Sequence, residues 1–98
     1  MEKTVLVGVI TNDQGYEKSM DYLEELEFLT VTAGGFVNKI FTQKLNNPNP
    51  KTFIGEGKIN EIRDYIKDHD VKTVIFDDEL TATQERNISK IFIFKLLY

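Results

Sequence analysis

The 98-residue chain has no cysteine and a single histidine, His69, which rules out disulfide frames, thiolate metal sites and histidine clusters. Structural zinc and Cys-His catalysis are excluded with them. Long apolar runs are also missing. After Met1-Glu2-Lys3, the first one extends only from Thr4 to Ile10, far short of a signal segment or a membrane span. The chain therefore reads as cytoplasmic. Proline is confined to Pro48 and Pro50, both in one loop-like stretch.

Basic charge is scarce overall. A formal charge of −4 and a pI of about 4.9 argue against a general nucleic-acid binder whose whole surface neutralises phosphates. The distribution is uneven, however. Glu17, Asp21, Glu24, Glu25 and Glu27 gather in one early segment against Lys18 alone, whereas Asn38 to Lys51 carries Lys39, Lys44 and Lys51 with no acid. A local basic patch on an acidic body is the expectation. Hydrophobic content of 41% supports one core, so residues 1–98 are read as a single domain.

Thr4 to Ile10 is β-branched and nearly all apolar, the pattern of a parallel strand covered on both faces. Beyond the polar turn Thr11–Gly15, the residues Met20, Leu23, Leu26, Leu29 or Thr30, and Ala33 recur at helical spacing, and Gly34-Gly35 ends the helix. Phe36 to Gln43 disperses Asn38, Lys39 and Thr42 over both faces, which suits an edge strand. Ile59, Ile62 and Ile66 mark a helix from about Lys58 to His69, and Val71 to Phe76 a further buried strand. Thr81-Ala82-Thr83-Gln84 has the form of a capping box that opens a third helix. That helix ends near Phe92 and leaves a short terminal strand. The order β-α-β-α-β-α-β predicts a three-layer α/β domain with a four-stranded parallel sheet, order 2-1-3-4. Its first helix lies on one face and the other two on the opposite face.

The connection from about Lys44 to Gly57 exceeds the usual length for such loops. Pro48 and Pro50 fix φ, and Gly55 and Gly57 permit conformations closed to other residues, with Gly57 a candidate for positive φ. Gly55-Glu56-Gly57-Lys58 departs from a phosphate loop, since one residue separates the glycines and Ile59 follows the lysine where Ser or Thr would hold magnesium. Asp77 and Asp78, with Asp13 across a crevice at the carboxyl ends of the strands, are weak candidates for magnesium or phosphoryl chemistry. Their plainer role is to favour the positive end of the next helix. His69 reads as a partner for the negative end of its helix, and Arg86-Asn87 as a contact surface or a solvated face.

Pro48-Asn49-Pro50-Lys51-Thr52-Phe53-Ile54-Gly55-Glu56-Gly57-Lys58 and, after a helix, Val74-Ile75-Phe76-Asp77-Asp78-Glu79-Leu80-Thr81-Ala82-Thr83-Gln84-Glu85-Arg86-Asn87 together resemble the N-terminal domain of HflX-type GTPases. Lys95-Leu96-Leu97 fits the start of that family's last strand, but Tyr98 stands where an aspartate is expected. The resemblance implies that a helical hairpin and a GTP-binding domain should follow, so the chain is expected to be a fragment or a truncated product.

It further implies docking on the large ribosomal subunit and its RNA, together with modulation of the missing GTPase domain. The contact residues it suggests are Lys39, Lys44, Lys51, Thr52, Gly55, Gly57, Lys58, Arg86 and Asn87. No catalytic residue and no cofactor are assigned to this chain; GTP and magnesium belong to the missing domain. Two alternatives stand beside this reading: an enzyme-like module whose acidic crevice takes magnesium and phosphate, and a domain that only packs on its own GTPase domain. Self-association through a terminal strand edge bearing Phe92, Phe94, Leu96 and Leu97 is also expected.

The chain has no G-x-x-x-x-G-K-[ST], no D-x-x-G and no N-K-x-D. The purified 98-residue chain should therefore show no GTP hydrolysis above buffer in a phosphate-release assay, and turnover that co-purifies with it would contradict this.

Overall fold

The computed structural model describes residues 2–92. Within them the chain alternates strictly: β1 (Glu2–Ile10), α1 (Tyr16–Thr32), β2 (Gly35–Lys44), α2 (Glu56–His69), β3 (Thr73–Phe76) and α3 (Ala82–Ile91). All strand pairings are parallel, and β1 is central in the order β2-β1-β3.

Every residue of β1 from Thr4 to Gly8 is buried, because the strand is covered on both faces. Val5 and Val7 point into a core formed with Ile59, Ile62 and Ile66 of α2 and with Ile88 of α3. Leu6 is fully buried outside that cluster, and Gly8 lies beneath Leu23 of α1. A Cβ on Gly8 would come within 2.9 Å of a Leu23 methyl, so glycine here is required by the close approach of α1 to the sheet. One helix on one face and two on the other is the arrangement expected from the sequence.

The expected four-stranded sheet is not observed: among the described residues the sheet has three strands. The apolar run that suggested a fourth begins with two residues that the third helix uses. Ile91 is the last residue of α3 and Phe92 its C-cap, with Phe92 buried in the core. Apolar content alone does not distinguish the inner face of a helix end from a strand. The proposed edge residues Phe94, Leu96 and Leu97 lie outside the described residues, and Phe92 is not at an edge.

Two local features bear on function. A register shift between Thr4 and Val5 leaves Asn38 unmatched in β2, and this bulged residue donates from Nδ2 to the Tyr65 hydroxyl of α2 at 2.8 Å. At the other end of the sheet the ladder runs on past the strands. Leu45 N donates to Ile10 O and Asp77 N to Val7 O, which brings the β2–α2 loop and the β3–α3 loop to the carboxyl ends of the strands.

Candidate functional site

The long loop after β2 is a small, internally bonded structure. Asn49 and Phe53 form an antiparallel bridge, exchanging backbone hydrogen bonds of 2.9 and 2.8 Å around Pro50-Lys51-Thr52. Asn49 Oδ1 accepts from Lys51 N and Thr52 N, an Asx turn that satisfies the tip. Phe53 then takes φ +68°, and Ile54 N donates to Thr52 O at 2.7 Å. A γ-turn at positive φ is unfavourable for a bulky residue. It is held because the Phe53 ring is buried and meets Phe76 of β3 edge-on, with centroids 5.6 Å apart.

The expectation that the glycines supply unusual backbone is thus corrected. Gly55 is extended, at φ −62° and ψ 154°. Its small size serves contact, since its N–H donates to Gln43 Oε1 at 2.7 Å and a Cβ would approach the same side-chain amide to 3.1 Å. Gly57 lies inside the first turn of α2 with open space around it and no positive φ. The unusual backbone belongs to Phe53.

Helix α3 fastens the loop from outside. Its capping box is present as read from the sequence: Gln84 N donates to Thr81 Oγ1 and Thr81 N to Gln84 Oε1. The second arm of Gln84 was not legible; its Nε2 donates to Asn49 O at 2.8 Å, and Asn87 Nδ2 donates to Lys51 O at 3.0 Å. Asn87, expected as an RNA contact, is therefore turned toward the loop backbone. Gln84 is only 5% exposed.

The nine candidate contact residues do not form one patch. Lys51, Thr52 and Asn87 line one groove of about 440 Å³ together with Asn49, Glu56, Lys90 and Ile91. Lys90 thus joins a surface that no sequence pattern indicated, because it is one helical turn from Asn87 and far along the chain from the loop. Lys44 faces a separate groove beside Asn12 and Tyr16. Lys58 pairs with Glu61 at 3.5 Å. Lys39 sits on the edge strand, with its ammonium 5.0 Å from the Phe41 ring centre and 5.3 Å from that of Tyr65. Arg86 is exposed on α3. Lys44, Lys51, Arg86 and Lys90 make no ion pair with another described residue.

The acidic crevice is real. Val9, Thr11, Gln14, Tyr22, Pro48, Phe53, Asp77 and Asp78 enclose about 230 Å³ between the β1 and β3 exits. Burial, and then the adjacent Asp78 carboxylate, push the Asp77 carboxyl above its ordinary value. Asp13 is exposed and does not line this space. No group of three or more His, Cys, Asp or Glu side chains suited to a metal occurs among the described residues. Asp78 instead accepts from Glu79 N at 2.8 Å. His69 stacks on Tyr65 with ring centres 3.9 Å apart, and its Nδ1 lies 3.0 Å from Tyr65 O at the end of α2.

Gln84→Ala removes the side-chain partner of Thr81 N and one of the two donors to Asn49 O, which keeps Phe53 N, and should lower unfolding free energy in urea by about 1–3 kcal/mol, with Asn87→Ala costing about 1 kcal/mol or less because it is half-exposed. Asp77 binds its proton more tightly folded than unfolded, so ionising it weakens the fold as pH rises from the ordinary carboxylate value through the raised one. Asp77→Asn should melt higher than the parent at pH 7, and the gap should close as pH falls below the ordinary carboxylate range; a gap independent of pH would contradict this.

Residues 20–97 match the family described as GTP-binding GTPase N-terminal. The chain is 56% identical over 96 residues to GTPase HflX of Flavobacterium psychrophilum, covering 98% of this chain and 23% of that protein. It is 38% identical over 87 residues to GTPase HflX of Caldanaerobacter subterraneus subsp. tengcongensis, covering 89% and 19%. For GTPase HflX of Escherichia coli K12 the identity is 36% over 90 residues, covering 92% and 20%. The chain thus spans about a fifth of the length of these relatives. With its β-α-β frame, its loop bracketed by Pro48 and Gly57 and its capped third helix, the chain belongs to the GTP-binding GTPase N-terminal family, as the N-terminal domain of an HflX-type protein.

Proposed function

We propose that this domain docks an HflX-like protein on the large ribosomal subunit by presenting the Asn49–Phe53 turn to RNA backbone, and that it thereby influences the GTPase domain. The observation that carries this reading is the double fastening of the turn. Phe53 anchors it from the inside against Phe76, and Gln84 and Asn87 hold two of its carbonyls from the outside.

A turn ordered in advance loses little conformational freedom on binding. The cations of its groove, Lys51 and Lys90, and those outside it, Lys44 and Arg86, have no ion-pair partner among the described residues, so binding a phosphate would not first break a salt bridge. Lys58 is less available, being paired with Glu61. The strong negative charge elsewhere limits indiscriminate affinity for polyanions. An interaction of this kind fixes position and orientation without reading base sequence.

None of the described helices is long and apolar enough to cross a membrane. In this reading the domain works as a positioning module. On the same reading GTP and magnesium are bound by another domain of the full protein, whose relatives carry the name GTPase. For the enzyme-like alternative the crevice offers the carboxylates of Asp77 and Asp78, and among the described residues no third His, Cys, Asp or Glu joins them.

Replacing both Lys44 and Lys51 by alanine should weaken binding of the chain to purified large ribosomal subunits. It should also flatten the dependence of log affinity on log salt by roughly 0.7–0.9 for each phosphate that is no longer neutralised. Stability should change by less than about 0.5 kcal/mol for each exposed lysine. Unchanged affinity with an unchanged salt slope, measured by sedimentation with the subunits, would end the docking assignment.

A further inference from the structure

The groove beside the Asn49–Phe53 turn holds an acid that phosphate docking does not use. Its lining includes Lys51 and Lys90, but also Glu56, the first residue of α2, and Ile91, the last of α3. Glu56 is exposed, and its carboxylate has no ion-pair or hydrogen-bond partner among the described residues. An acid in the first turn suits the positive end of a helix, which accounts for a carboxylate at this position and not for its sharing a groove with two lysines that also lack ion-pair partners. It would repel a phosphate. A polyanion fits here best when a neutral part of it, carrying hydrogen-bond donors, meets Glu56.

RNA has such a part in its bases, whose Watson–Crick edges are free wherever the strand is unpaired. The groove volume of about 440 Å³ falls within the range of about 300–1,000 Å³ usual for small-ligand sites, and Ile91 with the methylene stems of the lysines offers apolar surface to a flat ring. An ionised carboxylate accepts hydrogen bonds and donates none, so it selects among bases by their donors. Guanine presents two adjacent donors, N1–H and N2–H, which match the two oxygens of a carboxylate, whereas adenine, cytosine and uracil each set an acceptor beside the donor. Asn49 Oδ1 is held by Lys51 N and Thr52 N, which leaves its Nδ2 as a donor for the guanine O6.

Two cations, one acceptor and an apolar wall are the complement of a single nucleotide with its flanking phosphates. We infer that this groove takes an unpaired guanine of single-stranded RNA, with Glu56 accepting from N1–H and N2–H while Lys51 and Lys90 meet the phosphates on either side. The inference rests on the docking proposed above and names the RNA element that is engaged: phosphates position the domain, and the base contact adds a sequence preference that phosphates do not supply.

The test uses the 98-residue chain, labelled with nitrogen-15, and single-stranded RNA pentamers of uridine with guanosine, inosine or adenosine at the centre. Saturable amide shifts on Asn49 to Glu56 and on Asn87 to Ile91 are expected, with the guanosine pentamer bound about ten-fold more tightly than the adenosine one and inosine, which lacks the N2 amine, in between. Glu56→Gln should erase that preference, whereas Lys90→Ala should weaken all three pentamers alike and flatten their salt dependence. Equal affinity for the three pentamers, a preference that survives Glu56→Gln, or no saturable shifts at millimolar RNA would overturn the proposal, and docking would still stand if large-subunit binding depends on Lys44 and Lys51. A guanine preference lost in Glu56→Gln, beside subunit binding indifferent to those two lysines, would keep the guanine groove and end the ribosomal docking. The same preference is expected of the full-length protein; its absence there would show the groove closed by the rest of the chain and overturn the assignment.

Discussion

Two-sided burial of β1 is the constraint on which the other elements depend. A strand whose successive residues Val5, Leu6 and Val7 are all inaccessible needs a layer above and a layer below, and its two backbone edges need parallel neighbours. Leu23 over Gly8 closes one side, and the isoleucines of α2 and α3 close the other. Once β1 is central, the loops leaving β1, β2 and β3 are delivered to the same end of the sheet. The Asn49–Phe53 turn and the Asp77 crevice are neighbours for that reason, sharing Pro48 and Phe53 as walls.

The turn itself shows two energies in opposition. Positive φ at a bulky residue costs on the order of 1–3 kcal/mol, whereas burying an aromatic side chain returns about 1.5–3 kcal/mol, with roughly 0.5–1.5 kcal/mol more from a well-placed ring pair. Burial of Phe53 against Phe76 is sufficient to hold the unfavourable backbone. Glycine at the same position would relieve the backbone and lose the anchor.

Much of the frame was legible because its signals are periodic. The apolar run of β1, the Ile59, Ile62 and Ile66 spacing of α2, and the Thr81–Gln84 capping box all act through near neighbours in the chain, and each appears as read. The glycine reading failed because composition reports what a residue permits and not what the fold asks of it: Gly55 is small for the sake of Gln43, and Gly57 is ordinary helix. Gln84 to Asn49 and Asn87 to Lys51 are hydrogen bonds across 35 and 36 residues, and no local pattern encodes them. The fourth strand was read from the apolar residues after Phe92 and from the likeness of Lys95-Leu96-Leu97 to the family's last strand, whereas the sheet of the described residues has three strands and α3 ends at Ile91.

Charge differs from helix to helix: α1 carries Glu17, Asp21, Glu24, Glu25 and Glu27 against Lys18, whereas α3 carries Arg86 and Lys90 against Glu85, with Lys51 in the groove beside it. An uneven distribution gives a charged body a dipole moment besides its net charge. In the field of a large polyanion the net charge repels while the dipole exerts a torque, turning the cationic side forward before any atoms touch. Orientation is then selected during diffusion, and this selection weakens as added salt shortens the reach of the field to about 8 Å at physiological ionic strength.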